Sequence, residues 1–481
     1  MGNQISEDGS LRSVPQVESP ILTGGLTCDG NGELPEPQSS DEIIAAATGS
    51  EVKVYSFDTL VSQGTVLTGE TLAGIASMYI SSGGTANDTT VNGGSMYVSS
   101  GGTANAASVN GGGVLHVSTG GTAKETMVNG GYLYISSGGT ASTTTINGGY
   151  LYVSSGGTAN STTVNHGGYH YIFSGGTANA TTVNSQGVLH VYSGGTANDT
   201  VMDKGFLFIH SGGTANDTTV NSWGSMYVSG GTANDTTVNG LGSMYVSSGG
   251  TANSTTVNAG GSMYVSSGGT ATNIAASAGA YLNFAVAPNT YIQGTSAGSA
   301  FEIKDGCVSG YSVNSGALWV YSGGTANDTT VNGGILGVSS DGTANDTTVN
   351  GGTLGVSSGG TANATTVNSG ILWVSSDGTA NATTVNSGGW LYVSSGGTAT
   401  NIVASFGAHL NFAVAPNTYI QGTSGGSAFE IKDGHVSGYS VNYYDDLYVS
   451  SGGTANATTV NSMGFLFVSS GGTANATTVN S

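Results

Sequence analysis

One phrase, S-G-G-T-A-N-x-T-T-V-N, returns eighteen times with small variations along the 481 residues, and each copy adjoins a short apolar segment. Its threonine falls at Thr85, Thr103, Thr122, Thr140, Thr158, Thr177, Thr196, Thr214, Thr232, Thr251 and Thr270, then at Thr325, Thr343, Thr361, Thr379 and Thr398, and finally at Thr454 and Thr473. The step is 18 or 19 residues, apart from two gaps of 55 and 56, each about three steps. A strict period of this length, in a chain poor in helix formers, dictates a solenoid. Each repeat buries its apolar face only against its neighbours.

The apolar residues carry a second period, of two. Met96 and Val98, Leu151 and Val153, and Leu466 and Val468 each flank an aromatic residue. Residues two apart share one face of a strand, so the pair points inward and the aromatic points out. Ser99-Ser100-Gly101-Gly102 makes a corner, where glycine supplies backbone freedom. Ala104 opens a second, crowded strand, and Thr89 with Val91 gives a third inward pair. Asn92, Asn110, Asn129 and their successors close each repeat. Stacked Asn side chains are expected to hydrogen-bond from coil to coil. The expected fold is all-β, a single-stranded parallel β-helix of about 22 coils, spaced about 4.8 Å apart.

Residues 1–50 read as a flexible acidic leader containing Pro15, Pro20, Pro35 and Pro37. Residues 51–75 read as a cap or first atypical coil, and 76–481 as the repeats. The two long gaps are themselves a repeat: 273–314 returns at 401–442 with few changes. Both are expected to be degenerate coils, with Pro288 and Pro416 at corners. The chain stops after a Thr-Thr-Val-Asn corner, which leads us to expect a truncated product or an end covered by a partner.

Six Lys and Arg stand against a net charge of −21, so no basic surface is expected for nucleic acid or anionic lipid. No apolar run approaches a membrane-spanning length, and none of this chain is expected to insert in a membrane. Cys28 and Cys307 read as incidental thiols, because His435 replaces Cys307 in the second copy. No catalytic constellation or cofactor motif is visible. His170, His190 and His210 fall on successive coils but at different repeat positions, so they are expected not to line one column; they read as exposed strand residues, with a metal site as the lesser alternative. Asp88, Asp199, Asp217 and Asp235 read as solvated corner carboxylates. An enzyme such as a polysaccharide lyase is disfavoured by the scarcity of basic residues.

The outward aromatics do form a column: Tyr97, His116, Tyr134, Tyr152, Tyr171, His190, Phe208, Tyr227, Tyr245 and Tyr264, continued by Trp319, Trp373, Tyr392, Tyr448 and Phe467. It is a candidate contact stripe, with Gly337 and Gly355 as breaks. Against that stands the simpler expectation that the rings stack on one another between coils. Thr and Asn two apart on many coils also suggest an ice-binding face, a minor alternative.

The phrase S-S-G-G-T-A-N-D-T-T-V-N-G-G at 81–94 resembles the strand-loop-strand repeat of AIDA-type autotransporter passenger domains. The resemblance covers about residues 76–481. It implies a right-handed parallel β-helix displayed on a Gram-negative surface, and a role in self-association, biofilm formation or adhesion to host or matrix glycans. It also implies a separate glycosyltransferase partner. The acceptors matching by position are Ser99, Ser100, Thr103, Ser136, Ser137, Thr140, Ser154, Ser155 and Thr158. The chain shows neither a signal peptide nor a translocator barrel of amphipathic strands. The sequence therefore points to a non-enzymatic surface adhesin rod. The rival is a passive spacer or fibre shaft, on a surface or a phage, that carries a functional domain elsewhere.

Overall fold

The computed structural model describes residues 54–55 and 58–481. The acidic leader and Cys28 lie outside the described residues. Within them the chain is all-β, a parallel solenoid whose coils repeat three short strands. The coil from Ser95 shows the plan: Ser95–Val98, Thr103–Asn105 and Ser108–Asn110. Each strand pairs in parallel with its equivalent one repeat away, as Met96 does with Leu115 and Ala104 with Ala123. The Leu/Met-aromatic-Val strands form one ladder of 21 strands, and the T-A-N and T-V-N strands form the other wall. The coil at Thr59–Val61, Val66–Thr68 and Thr71–Ala73 is already in register with the repeats.

The period-two pattern places the core. Leu115, Val117, Ala123 and Val128 are fully buried, as are their equivalents in coil after coil. Thr126 and the matching threonines are also inward and buried. Twelve of these hydroxyls, among them Thr89, Thr126, Thr218 and Thr365, have no hydrogen-bond partner.

The corners explain the double glycine. Ser100 and Gly101 have φ of +47° and +82°, and Gly102 N–H donates to the Ser99 carbonyl at 2.8 Å. Two positive φ values inside such a bond describe a type I′ turn. Gly101 serves the φ. Gly102 serves the close approach, because a Cβ there would overlap the Ile80 carbonyl oxygen of the preceding coil. A second positive φ, at the variable residue of T-A-N-x-T (Asp88 +50°, Ala106 +50°), divides the other two strands, whereas Asp235 (+50°) lies within the continuous strand Thr232–Val238.

Two Asn ladders have side-chain bonds, although only the V-N column was foreseen. Asn110 Nδ2 donates to Asn92 Oδ1 at 2.7 Å, and Asn165 to Asn147 at 2.8 Å. The T-A-N column does the same, Asn216 to Asn198 at 2.8 Å and Asn345 to Asn327 at 2.9 Å.

The long gaps differ from the two degenerate coils expected. Tyr291–Ser296 pairs in parallel with Thr270–Ala276, but the chain then turns back. Ser299–Lys304 runs antiparallel to it, and Cys307–Ser309 antiparallel again before rejoining the parallel wall at Thr325–Asn327. On the other wall Tyr281–Val286 bridges directly from Ser262–Val265 to Gly316–Val320. One wall therefore gains three strands where the other gains one. The second insert repeats this at Tyr419–Ser424, Ser427–Lys432 and His435–Ser437. The extra space is filled by aromatic rings. Phe301 and Tyr311 meet edge-on at 5.2 Å beside Phe284, and Phe429 and Tyr439 at 5.4 Å beside Phe412. Pro288 does sit at a corner, where Thr290 N–H closes a turn on the Ala287 carbonyl.

Candidate functional site: an outward aromatic face

The outward residue of the Leu/Met-aromatic-Val strand stands at the same register in every neighbouring coil, so the coil spacing becomes the ring spacing. From Tyr79 to Tyr264 eleven rings stack without interruption. Centroids lie 4.7–5.2 Å apart and planes within 16° of parallel. The ring faces are thus occupied by neighbouring rings, and edges and hydroxyls remain for solvent.

The stripe is not one column from end to end. Tyr264 continues into Asn283 and Ala317, whereas Trp319 pairs with Ala285, two residues further along the strand. The insert adds a third inward residue, Val286 after Leu282 and Phe284, and so shifts the outward column by two. Trp319, Trp373 and Tyr392 belong to a second segment, with Trp373 and Tyr392 stacked at 5.0 Å. Tyr448 and Phe467 form a third. Gly337 is more than a break, because a Cβ there would overlap the Trp319 indole ring. Gly355 is open.

The face is also wider than one column. Tyr132, Tyr150 and Tyr169 form a flanking stack at 5.2 and 5.4 Å. Phe173, Tyr192 and His210 form another at 5.0 and 4.4 Å. Rings two apart in one strand lie 6.2 Å from each other, as in Tyr150–Tyr152 and Tyr171–Phe173. Reading only the central position of each strand hid these columns. The signal was the run of alternate aromatics in Tyr169-His170-Tyr171-Ile172-Phe173. Partial burial, reinforced by neighbouring phenols, raises the Tyr171 hydroxyl to about 12 and pushes Tyr152 higher still. Tyr152 and Tyr171 therefore present uncharged hydroxyls at neutral pH.

The histidines divide in two ways. His170, expected on the exposed side of its strand, instead stands in the inward Leu column and is fully buried. His190 and His210 are in different columns, as the sequence indicates, yet they touch: His190 Nδ1 and His210 Nε2 are 3.0 Å apart. Columns two residues apart share a face, so a diagonal step to the next coil joins them. Among the described residues no group of three or more His, Cys, Asp and Glu is placed to hold a metal ion.

The hydroxyls matched by position lie on the corner beside this face. Ser100, Ser137 and Ser155 are exposed at turn tips with φ of +47° to +49°. Ser99, Ser136, Ser154, Thr103, Thr140 and Thr158 are half-buried next to them. Cys307 is exposed with a free thiol.

Three segments, 146–187, 221–280 and 421–481, match the family described as adhesin of bacterial autotransporter system, probable stalk. The matched segments, which are similar to that stalk, lie in both the regular coils and the second insert. Curated protein sequences give no match. Among solved structures, the chain is similar to a TibC-catalyzed hyper-glycosylated TibA fragment. Identity is 28% over 79% of this chain and 99% of that one, with a TM-score of 0.31. The β-solenoid assignment stands on the strand pairings described above.

Proposed function

We propose that this chain is the repeat rod of a Gram-negative cell-surface adhesin, non-enzymatic, which associates side by side with copies of itself on neighbouring cells. The observation that carries this reading is the uninterrupted aromatic face from Tyr79 to Tyr264, on a rod whose other wall carries a ladder of hydrogen-bonded Asn side chains. Because its ring faces are already stacked, the surface favours flat contact through edges, hydroxyls and amides over stacking on sugar rings. A single such hydrogen bond contributes only about 0.5–1.5 kcal/mol. Repetition at coil spacing lets a second rod of the same period engage many at once. Glycosylation at Ser100, Ser137 and Ser155 would modify the adjoining corner, since these hydroxyls are the ones most open to a transferase.

The test is clumping of beads coated with the full chain, read by light scattering with and without free protein. Clumping that free protein inhibits, and that Tyr152→Ala with Tyr171→Ala weakens, supports the reading. No clumping at high coating density reduces the rod to a spacer.

A further inference from the structure

We infer that Trp319, Gly355 and Trp373 form a stacking slot for one neutral pyranose ring of a glycan. In this part of the rod the outward column runs Trp319, Gly337, Gly355, Trp373 and Tyr392 on five successive coils. Two glycines interrupt the series, and the space above each is used differently. The six-membered ring of Trp319 lies across Gly337, where a Cβ would overlap it. At Gly355 nothing lies within 4 Å of the position a Cβ would take. On the far side Trp373 stacks on Tyr392, with centroids 5.0 Å apart and planes within 18° of parallel. That covers one indole face and turns the opposite face towards the Gly355 coil. Both Trp319 and Trp373 are exposed. The slot shares no residue with the Tyr79 to Tyr264 face, so it does not depend on the self-association reading.

The vacancy has the size of one ring. Gly337 and Trp373 stand two coils apart, about 9.6 Å. Elsewhere on the rod two coil steps hold one intervening ring, because successive centroids are 4.7–5.2 Å apart. A single ring over Gly355 thus completes the interrupted stack, in van der Waals contact with Trp373. The same strand supplies polar groups on both sides. Thr353 and Ser357 stand two residues before and after Gly355, so alternation turns them outward with it. Both are half-buried, and among the described residues neither hydroxyl has a hydrogen-bond partner. A pyranose uses the face and the hydroxyls together. Its axial C–H groups meet the electron-rich indole face, and its equatorial hydroxyls reach Thr353 and Ser357. An aromatic side chain uses the face alone. Charge then selects among sugars. The S-S-G-G corner becomes S-S-D-G at two coils, which places Asp341 and Asp377 on either side of the Gly355 coil. Both are exposed, and Asp341 Oδ1 borders Gly359. Two carboxylates beside the slot repel an acidic sugar and accept hydroxyls from the next unit of a neutral chain.

The experiment is saturation-transfer NMR on the full chain. The probes are methyl β-glucoside, methyl β-galactoside and methyl α-mannoside, with p-cresol standing for an aromatic side chain. Transfer to the ring C–H protons of at least one glycoside is expected. Gly355→Tyr fills the vacancy with the ring that other coils carry at the equivalent position, at a φ that does not require glycine and where a Cβ has open space. It should keep the fold and lower the glycoside affinity at least about tenfold. Trp373→Ala removes the stacking face and should lower it as far, and this variant decides if Gly355→Tyr does not fold. Tyr152→Ala should leave glycoside binding unchanged. Transfer to none of the glycosides, or equal transfer in the wild type and both slot variants, overturns the proposal. Transfer to p-cresol alone overturns it too, and assigns the slot to an aromatic side chain. Beads coated with Gly355→Tyr should clump as the wild type does, so the glycan site and self-association fail separately.

Discussion

Replacing His170 by leucine tests the core where the sequence breaks its own pattern. His170 occupies the Leu column, paired with Leu151 in one coil and Leu189 in the other. It is fully buried, and neither ring nitrogen has a hydrogen-bond partner. Leaving a buried polar group unsatisfied costs about 1–3 kcal/mol, and leucine is close enough in volume to refill the site. His170→Leu should therefore stabilise this coil by about 1–3 kcal/mol at pH 7.5. The gain should grow in acid. Burial lowers the His170 pKa to about 3, from an ordinary value of 6.5. A lowered pKa means that the unfolded state binds the proton more readily, so the native coil loses stability as pH falls below about 6.5. At pH 4.5 the wild type should have lost about 3 kcal/mol that the leucine variant keeps, and about 5 kcal/mol by the time both states are protonated. Because solenoid coils open locally, the assay is hydrogen exchange of the amides at 169–172, comparing the two proteins at each pH. Slower exchange in the variant is expected, by roughly 5- to 150-fold at pH 7.5 and by about a further 100-fold at pH 4.5. Equal exchange at both pH values would show that the ring reaches water, and the reasoning from a dry, continuous core would fail.

Gly102→Ala should destabilise its corner by about 1–3 kcal/mol through overlap with the Ile80 carbonyl. Gly101→Asn, at a φ that Asn tolerates, should be nearly neutral, and thermal melts of the two variants make the comparison. Asn345→Ala removes one bond to Asn327 and one from Asn363, both 2.9 Å, and should cost about 1–3 kcal/mol in local opening measured by hydrogen exchange. Thr218→Val removes a buried hydroxyl without a partner and should be neutral or stabilising by about 1 kcal/mol in the same measurement. Asp445 is buried, with its carboxyl accepting from Leu410 N–H at 2.7 Å and Asn442 N–H at 3.1 Å. Desolvation raises its pKa to about 6, so the stability it contributes is full below about pH 4 and is lost as pH rises through 6. Amides of 410 and 442 should exchange more slowly, after correction for intrinsic rate, at pH 4.5 than at pH 7.5.

The coil plan was legible because its causes are local. Met96 and Val98 turn inward by strand alternation alone, and Ser100-Gly101 forms its turn by backbone preference alone. Asn92 and Asn110 meet because an equal repeat length returns the same residue to the same corner. The inserts were legible only as departures from the period. Nothing within 291–309 states that Ser299–Lys304 runs antiparallel. That direction follows from the paired partners Tyr291–Ser296 and Cys307–Ser309 and from the space filled by Phe284, Phe301 and Tyr311.

The sequence by itself determined the period, the inward residues and the corner chemistry, since each depends on residues a few positions apart. Only the tertiary structure decided which outward residues meet. Contacts on the surface run between coils as well as along them, to the partner 18 or 19 residues away and diagonally to the next column. The diagonal step brings His190 to His210, 20 residues apart, and the direct step stacks Tyr132, Tyr150 and Tyr169 beside the central column and widens it into a face. One extra inward residue in Tyr281–Val286 shifts every later column by two, which is why Trp319 does not continue the stack that ends at Tyr264.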